Sequence, residues 1–483
     1  MKRLIPIYAL LTAFILIGAS SCLSDDTESE PTEVSANTLV TNFHLVANDS
    51  VMALLDSVRF TIDVEKKLIY NADSLPKGTK ITRLVPSVTC GSIFSVAEFS
   101  ITDATTMADT TFTYTASEND SIDFTGKVQL TVRAADGISA KVYDVKVNVH
   151  QQATDTLYWA EVSKKYLPGK SLEPTQQKTI TQGGVTFCLL KEHGEYTLAK
   201  TSDIRGYQWT KETVNFSVDP QVESFTATSD AFYILDINDD LYKSTDGINW
   251  NATGCKMSSL IGGYDNILLA LTNDSNGETY YAYYDGSTLT SEPADDDFPV
   301  SGHSNAVSYE SQWTITKQFI VVGGDLKSST GKSGKAWGFD GSRWACISNT
   351  SLPELSGMTL VAYYNYLQVD GTLRYTKYPV LLAFGGRDAE GKTQKTVYIS
   401  YDNAVNWQKA PSSLQLPEYI PGVYGAQAIV EQATLSVDTR ASKPLTEWQC
   451  PYIYLFGGYF VNGSLQNAVW TGAINRLSFK PII

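Results

Sequence analysis

Residues 241–250 read LYKSTDGINW, and this stretch decides the fold. A short strand runs through Leu241–Ser244, a polar reversal follows at Thr245-Asp246-Gly247, and Trp250 opens the next strand. Aspartate folds its carboxylate onto the backbone two residues on, and glycine accepts φ > 0 without steric cost. Tryptophan then buries a large surface on the returning strand. Five other stretches lay out the same way: LAKTSDIRGYQW (198–209), YAYYDGSTL (281–289), AWGFDGSRW (336–344), VYISYDNAVNW (397–407) and AVWTGAINRLSF (468–479). They recur at about 40–60 residues, the length of a four-stranded blade. The expectation is a β-propeller over residues 155–483 with six blades, or seven if residues 155–200 hold one more. Leu157–Val162 (LYWAEV) has no blade of its own. Used as an outermost strand of the last blade, it closes the ring and removes an exposed edge.

Upstream of three of these units a strand ends in Gly-Gly: FIVVGG (319–324), LLAFGG (381–386) and YLFGG (454–458). That double glycine resembles kelch repeats, in which it lets neighbouring blade backbones pack closely. Ser244, Asp246, Gly247 and Trp250, and likewise Ser400, Asp402 and Trp407, resemble the Asp-box turn of sialidase-type propellers. The resemblance implies a structural role for these residues.

The chain opens with Lys2-Arg3, an apolar run over Leu4–Gly18 and the small residues Ala19-Ser20-Ser21, the layout of a secretion signal over 1–21. Cys22 follows, and small residues directly before a cysteine resemble the lipobox of bacterial lipoproteins. The resemblance implies acylation of Cys22 and a partner in outer-membrane lipid; a plain signal peptide is the alternative. Ala19 stands where leucine is commonest. The next residues, Leu23-Ser24-Asp25-Asp26-Thr27-Glu28-Ser29-Glu30, resemble the surface-export signal of Bacteroidota lipoproteins. They also read as a solvated acidic tether, and residues 22–39 are the linker on either view.

Residues 40–152 alternate apolar and polar positions over short runs, as in VRFTIDV (58–64) and KVYDVKVNV (141–149), with turn residues such as Ala135-Asp136-Gly137 between them. About seven short strands in about 110 residues predict an immunoglobulin-like β-sandwich. FTIDVEKKLIYNADSLPKGT, NDSIDFTGKVQLTVRAADG and YDVKVNVHQ resemble the N-terminal module of a Bacteroidota lipoprotein family of undefined function, in which it precedes a kelch-like propeller. The same region holds Asp-Ser/Thr triplets starting at Asp49, Asp56, Asp73, Asp109, Asp120 and Asp155. These resemble the O-glycosylation acceptor of Bacteroidota extracytoplasmic proteins, and they are equally good turn formers.

A net charge of −15, with no basic cluster after Lys2-Arg3, argues against a nucleic-acid partner. Sialidase-type hydrolysis needs several arginines on a substrate carboxylate and a Tyr–Glu pair. The propeller offers Arg205, Arg343, Arg374, Arg387, Arg440 and Arg476, with Arg205 and Arg343 in peripheral turns. Copper-radical oxidation needs two His, two Tyr and a Cys, and the propeller has only His193 and His303, the former in a turn. Cys90, Cys188, Cys255, Cys346 and Cys450 lie too far apart for a zinc motif, and Cys188 and Cys346 read as small core hydrophobes. The acidic runs Asp239-Asp240 and Asp295–Asp297 match no calcium loop. No metal or cofactor is expected. Tyr363, Tyr364, Tyr366, Tyr419, Tyr424 and Tyr459 fall in what read as long connections between strands, where rings could stack on sugars or peptides. The reading is a surface-anchored, non-catalytic binding protein for glycan or protein. A glycan-active hydrolase and a structural envelope component are the alternatives.

Overall fold

The computed structural model describes residues 34–71, 74–116, 120–151, 153, 156–310, 316–328, 331–368, 375–435 and 448–474. Strands dominate it, interrupted by four 3-10 turns. The chain divides into two units that part between Asn148 and Val149, with Leu75–Gly78 grouped with the second. Among the described residues no helix is long and apolar enough to cross a membrane. Met1–Ser21 and Cys22 lie outside the described residues.

The first unit is all-β. A six-stranded sheet runs in the order Phe60–Asp63, Leu68–Asn71, Ala140–Lys146, Lys127–Arg133, Val96–Thr102, Asp109–Thr113, and Val40–Leu45 pairs with Pro86–Cys90 as a second sheet. Leu68–Asn71 and Ala140–Lys146 are parallel; the other pairs are antiparallel. Lys127–Arg133 shows why these strands form: Val128, Leu130 and Val132 point inward and are buried, while the alternate residues face out. Phe43 reaches from the small sheet to Phe60, ring centroids 4.8 Å apart.

The second unit contains six four-stranded antiparallel sheets. Blade 1 spans 174–214, blade 2 226–256, blade 3 259–293, blade 4 307–346 and blade 5 356–409. Blade 6 is Gln427–Leu435, Trp448–Phe456 and Val469–Ile474, and its outermost strand is Leu157–Trp159 from the far end of the unit. Gly472 pairs with Trp159, Ala473 with Tyr158 and Ile474 with Leu157. A Cβ at Gly472 would lie 2.8 Å from the Trp159 ring, so the closing strand needs glycine opposite its tryptophan. The Tyr419 hydroxyl donates to the Trp159 carbonyl at 2.8 Å, and Lys165 and Val469 exchange backbone bonds of 2.9 and 2.8 Å.

Six apolar clusters fill the seams between blades and run round the ring without a gap. Leu189 and Phe232 belong to the seam between blades 1 and 2, Leu241 and Leu268 to 2–3, Leu271 and Trp337 to 3–4. Val322 and Leu381 follow in 4–5, Leu382 and Ile453 in 5–6, and Phe456 and Cys188 join 6 to 1. Each blade is therefore buried on both faces, and no seam is left for water.

Three sequence expectations need correction here. Tyr363, Tyr364 and Tyr366 are not in a connection; they lie within the strand Ser356–Gln368, which pairs with Tyr375–Arg387 along its length. Tyr363 is buried in the 5–6 seam and Tyr364 packs against the 4–5 seam, because successive strand residues face opposite sides. Cys346 is exposed, since its strand is the outermost of blade 4 and two of its three residues are exposed. Cys188 is a fully buried core residue as expected, and burial pushes its thiol up to about 12. The third correction concerns the stretch 468–479: Thr471-Gly472 is no turn, because Val469–Ile474 runs through it as one strand. The described part of 155–200 holds the closing strand and most of blade 1, in keeping with six blades rather than seven.

Candidate functional site

The turns that repeat in the sequence are structural. In blade 2, Asp246 accepts backbone N–H bonds from Ile248 and Asn249, both 2.8 Å, and the Asn249 side chain at 2.7 Å. Ser244 donates to Asp246 and accepts from the Gly247 N–H, whose residue has φ +76°, and the Trp250 indole donates to the Gly247 carbonyl at 3.1 Å. These bonds hold the Asp246 carboxyl far below the usual carboxylate range. Blade 5 repeats the device one residue longer: Asp402 accepts from the Asn406 backbone and side chain, and Ala404 donates to Ser400, ahead of buried Trp407. Asp203, Asp285 and Asp340 serve blades 1, 3 and 4 in simpler form.

The Gly-Gly pairs close the opposite end of the blades. Gly323, Gly385 and Gly457 have φ of +64°, +70° and +58°. A Cβ would meet the Leu355 carbonyl at 2.5 Å, the Val423 carbonyl at 2.8 Å and the Gln177 side chain at 2.5 Å, the first two in the connections entering the next blade and the third in blade 1 itself. Gly324 and Gly386 donate their N–H groups to those same two carbonyls, both at 2.9 Å. A second backbone chain runs alongside: Gly357 N–H donates to the Gly302 carbonyl (2.6 Å) and Gly425 N–H to the Gly357 carbonyl (2.7 Å).

This packing delivers side chains to the mouth of the central channel, a cavity of about 320 Å³. The residue directly after each Gly-Gly lines it: Asp325, Arg387 and Tyr459. Residues flanking the second glycine chain line it too, namely Ser301, His303, Ser356 and Tyr424. Blades 1 and 2 add Lys178 from the innermost strand and Glu223 from the connection. A second stretch of about 490 Å³ continues the channel, sharing Lys178, His303, Asn305 and Gln427 and walled largely by Ile180, Ile261, Phe319 and Ile429.

The polar groups of the mouth divide into committed and free. Asp325 is committed: Ser356 donates to it at 2.9 Å, Ser301 at 3.3 Å, and Lys332 forms an ion pair with it. Gln177 and Gln427 bond each other at 2.6 Å and stitch blade 1 to blade 6. Asn305 exchanges bonds with the Leu360 backbone. Among the described residues, the Lys178 ammonium has no carboxylate within 4 Å and makes no hydrogen bond. Burial lowers its pKa, and the Glu223 charge works against that shift. Burial, with Lys178 nearby, takes the His303 imidazole down to about 4, although its bond to the Ser304 carbonyl and the charge of Asp325 oppose this. The Arg387 guanidinium lies 4.3 Å from the Tyr424 ring centroid, and Tyr424 and Tyr459 rings sit 5.6 Å apart at 33°. The buried Tyr459 hydroxyl has no partner in hydrogen-bonding geometry; burial and nearby Glu223 push its pKa up.

Of the six tyrosines singled out from sequence, Tyr424 and Tyr459 meet in the mouth. Tyr363 and Tyr364 belong to seams, Tyr366 to the same strand, and Tyr419 to ring closure. Lys178, Glu223, His303 and Asp325 are site residues that sequence reasoning missed. Of the arginines considered, Arg387 lines the mouth, Arg205 pairs with Glu431 and stacks on Tyr452, and Arg374, Arg440 and Arg476 lie outside the described residues. The acidic runs are engaged elsewhere: Asp240 with Lys256, Asp295 with the Tyr281 hydroxyl, Asp297 with Lys335. Among the described residues no group of three His, Cys, Asp or Glu could hold a metal ion.

A ring of four-stranded blades, closed by a strand from its other end and pierced by a polar-mouthed channel, defines the second unit as a β-propeller domain. The chain belongs to the DUF6242 family: residues 153–482 match its beta propeller domain and residues 33–147 its N-terminal domain of unknown function. No curated protein matches. Solved structures with some likeness include AofleA from Arthrobotrys oligospora (TM-score 0.37, 11% identity, 67% of this chain and 91% of that one). The six-bladed Aleuria aurantia lectin (0.35, 11%, 63% and 97%) and Trypanosoma rangeli sialidase (0.36, 11%, 66% and 60%) are others. Nothing about ligand or activity follows from likeness this distant.

Proposed function

We propose that this protein is a non-catalytic binding head whose ligand seats in the channel mouth. One observation carries the reading: several blades converge on one cavity of about 320 Å³ and leave Lys178, Arg387 and the Tyr424 ring uncommitted to the fold's own hydrogen bonds. The volume lies in the range of small-ligand sites. A glycan is the preferred ligand, since a tyrosine pair rimmed by polar groups suits a sugar ring and its hydroxyls. A glycan array on the chain from residue 40 tests this. Binding that is abolished by Tyr424→Ala supports the mouth as the seat; binding indifferent to it places the seat elsewhere, and a blank array points to a protein ligand.

The same proposal includes the address. Acylated Cys22 anchors the chain in the outer membrane of a Bacteroidota cell, facing the medium. The N-terminal module is an immunoglobulin-like spacer between anchor and propeller in chain order. Its exposed Ser50, Thr110 and Ser121 suit glycosylation, which an intact mass without sugar increments would exclude. Cys22→Ala protein that still partitions with membranes would sink the anchor.

Hydrolysis is the second reading, favoured by one feature: the Tyr459 hydroxyl faces Glu223. Against it, Arg387 is the only arginine among the described lining residues, and Asp325 is held by three donors. Turnover of a fluorogenic sialoside, lost in Tyr459→Phe, would establish it over binding alone.

A further inference from the structure

The charge of the mouth runs against the charge of the chain. The sequence carries −15 overall. At the mouth, Asp325 and Lys332 cancel as an ion pair, leaving Lys178 and Arg387 against Glu223 alone. Several lysines elsewhere in the propeller are matched: Lys191 with Asp219, Lys256 with Asp240, Lys317 with Asp265, Lys335 with Asp297. Lys178 has no such partner among the described residues, and it lies in the part of the channel shared by both cavities. Taking an ammonium out of water without a paired carboxylate is costly, so a sequence free to vary would place an apolar residue there.

We propose that the mouth is an anion seat in which Lys178 and Arg387 receive the carboxylate or sulfate oxygens of an acidic sugar. This rests on the reading of the propeller as a binding head and names its ligand class. The guanidinium over Tyr424 is oriented by the ring yet keeps its N–H fork available for two acceptor oxygens. Lys178 supplies a point charge deeper in the channel. Glu223, an acceptor with Tyr459 beside it, takes a sugar hydroxyl, which selects an acid that is also a polyol over a simple anion. His303, neutral at ordinary pH, adds a donor or acceptor without competing for the charge.

Calorimetry with D-glucuronate, glucose 6-sulfate, glucose and inorganic sulfate, at constant ionic strength, tests the proposal on the mature chain. Both acidic sugars are expected to bind more tightly than glucose and than sulfate, and the tighter of the two identifies the group seated. Lys178→Met and Arg387→Gln should each weaken the acidic sugars about tenfold. Lys317→Met, at the other end of the channel and already paired with Asp265, should change nothing. Thermal melts of all variants close to that of the parent confirm that loss of binding is not loss of fold. Glucose binding as tightly as glucuronate, with Lys178→Met silent, overturns the anion seat and leaves the binding head standing. Glucuronate and glucose 6-sulfate both failing to bind at millimolar concentration also overturns it; if a glycan array is blank as well, the glycan-binding head falls with it.

Discussion

Blades 1–3 and blades 4–6 end their second strands by different means. In the first half a side-chain carboxylate at the strand end accepts backbone N–H groups, from its own turn in blades 2 and 3 and from the segment that leads into the blade in blade 1. Glu192 accepts from the Lys170 and Ser171 backbones, Asp236 from Asn238 and Asp240, Asp274 from Asn276 and Glu278. In the second half Gly-Gly removes side chains so that the next blade's backbone can move in. The carboxylate solution does not engage the next blade and contributes no side chain of its turn to the mouth. The glycine solution draws neighbouring blades together and points the following residue, Asp325, Arg387 or Tyr459, at the channel. Both halves close the ring and both line the mouth, but only the glycine half places the residue after its turn there.

If that contrast is right, the two halves answer glycine substitution differently. Gly323→Ala forces a left-handed alanine whose Cβ sits 2.5 Å from the Leu355 carbonyl. Backbone strain plus a forced shift of the next blade should cost about 3–5 kcal/mol. Gly277 in blade 3 has φ +78° and open space within 4 Å of where an alanine methyl would stand, so Gly277→Ala should cost about 1–2 kcal/mol. Urea denaturation of both variants measures the difference; equal losses would mean that the close packing of blades 4 and 5 contributes nothing beyond local strain.

Acid should strike the second half first. His303 is held neutral, with a pKa of about 4 against about 6.5 unfolded. Because the folded value is depressed, unfolding takes up a proton below pH 6.5. The stability tied to His303 is complete above that pH and is lost as pH falls to about 4, in all on the order of 3 kcal/mol. Lys178 and Asp325 bear on the same ring in opposite senses. His303→Gln should flatten the stability–pH curve in this window, and a curve unchanged by the substitution would show that burial of the imidazole has no energetic consequence.

A smaller effect belongs to the turns. Asp246→Ala removes a carboxylate that accepts two backbone N–H groups, comparable to losing a helix cap, about 1–2 kcal/mol. Its pKa is depressed in the fold, so this contribution is present above the unfolded carboxylate value and is lost only as pH falls further. Parent and variant should therefore converge in stability at strongly acid pH, below the range in which His303 acts.

Much of this architecture is legible in the chain. Five turns with Asp before a large apolar residue announce blades 1–5, and LYWAEV announces closure, because each signal is local and set by backbone chemistry. The mouth is not local. Lys178, Glu223, His303 and Asp325 come from two blades and two connections, and each alone reads as an ordinary polar residue. A signal was present: Gly-Gly-Asp, Gly-Gly-Arg and Gly-Gly-Tyr place a variable residue at a fixed point of the repeat, where function varies while packing does not. Tyr363 and Tyr364 misled for the opposite reason. Their strand spans 13 residues, far beyond the usual strand length, so its aromatic end resembled a connection.

The smallest effect is also the sharpest, because its sign is opposite to the others. Lys178 reaches the channel from blade 1, in the half without Gly-Gly, and among the described residues its ammonium has no ion-pair partner. An ammonium kept there costs stability, and Lys178→Met should restore about 1 kcal/mol while weakening the acidic ligand. The paired cation of the glycine half behaves in the other sense: Lys332→Met strands Asp325, which keeps only its serine donors, and should destabilise. Gain at Lys178 with loss at Lys332 would separate a charge held for a ligand from one held for the fold. Loss at both would mean that Glu223 compensates Lys178 within the protein, and then the mouth has no unmet charge to offer.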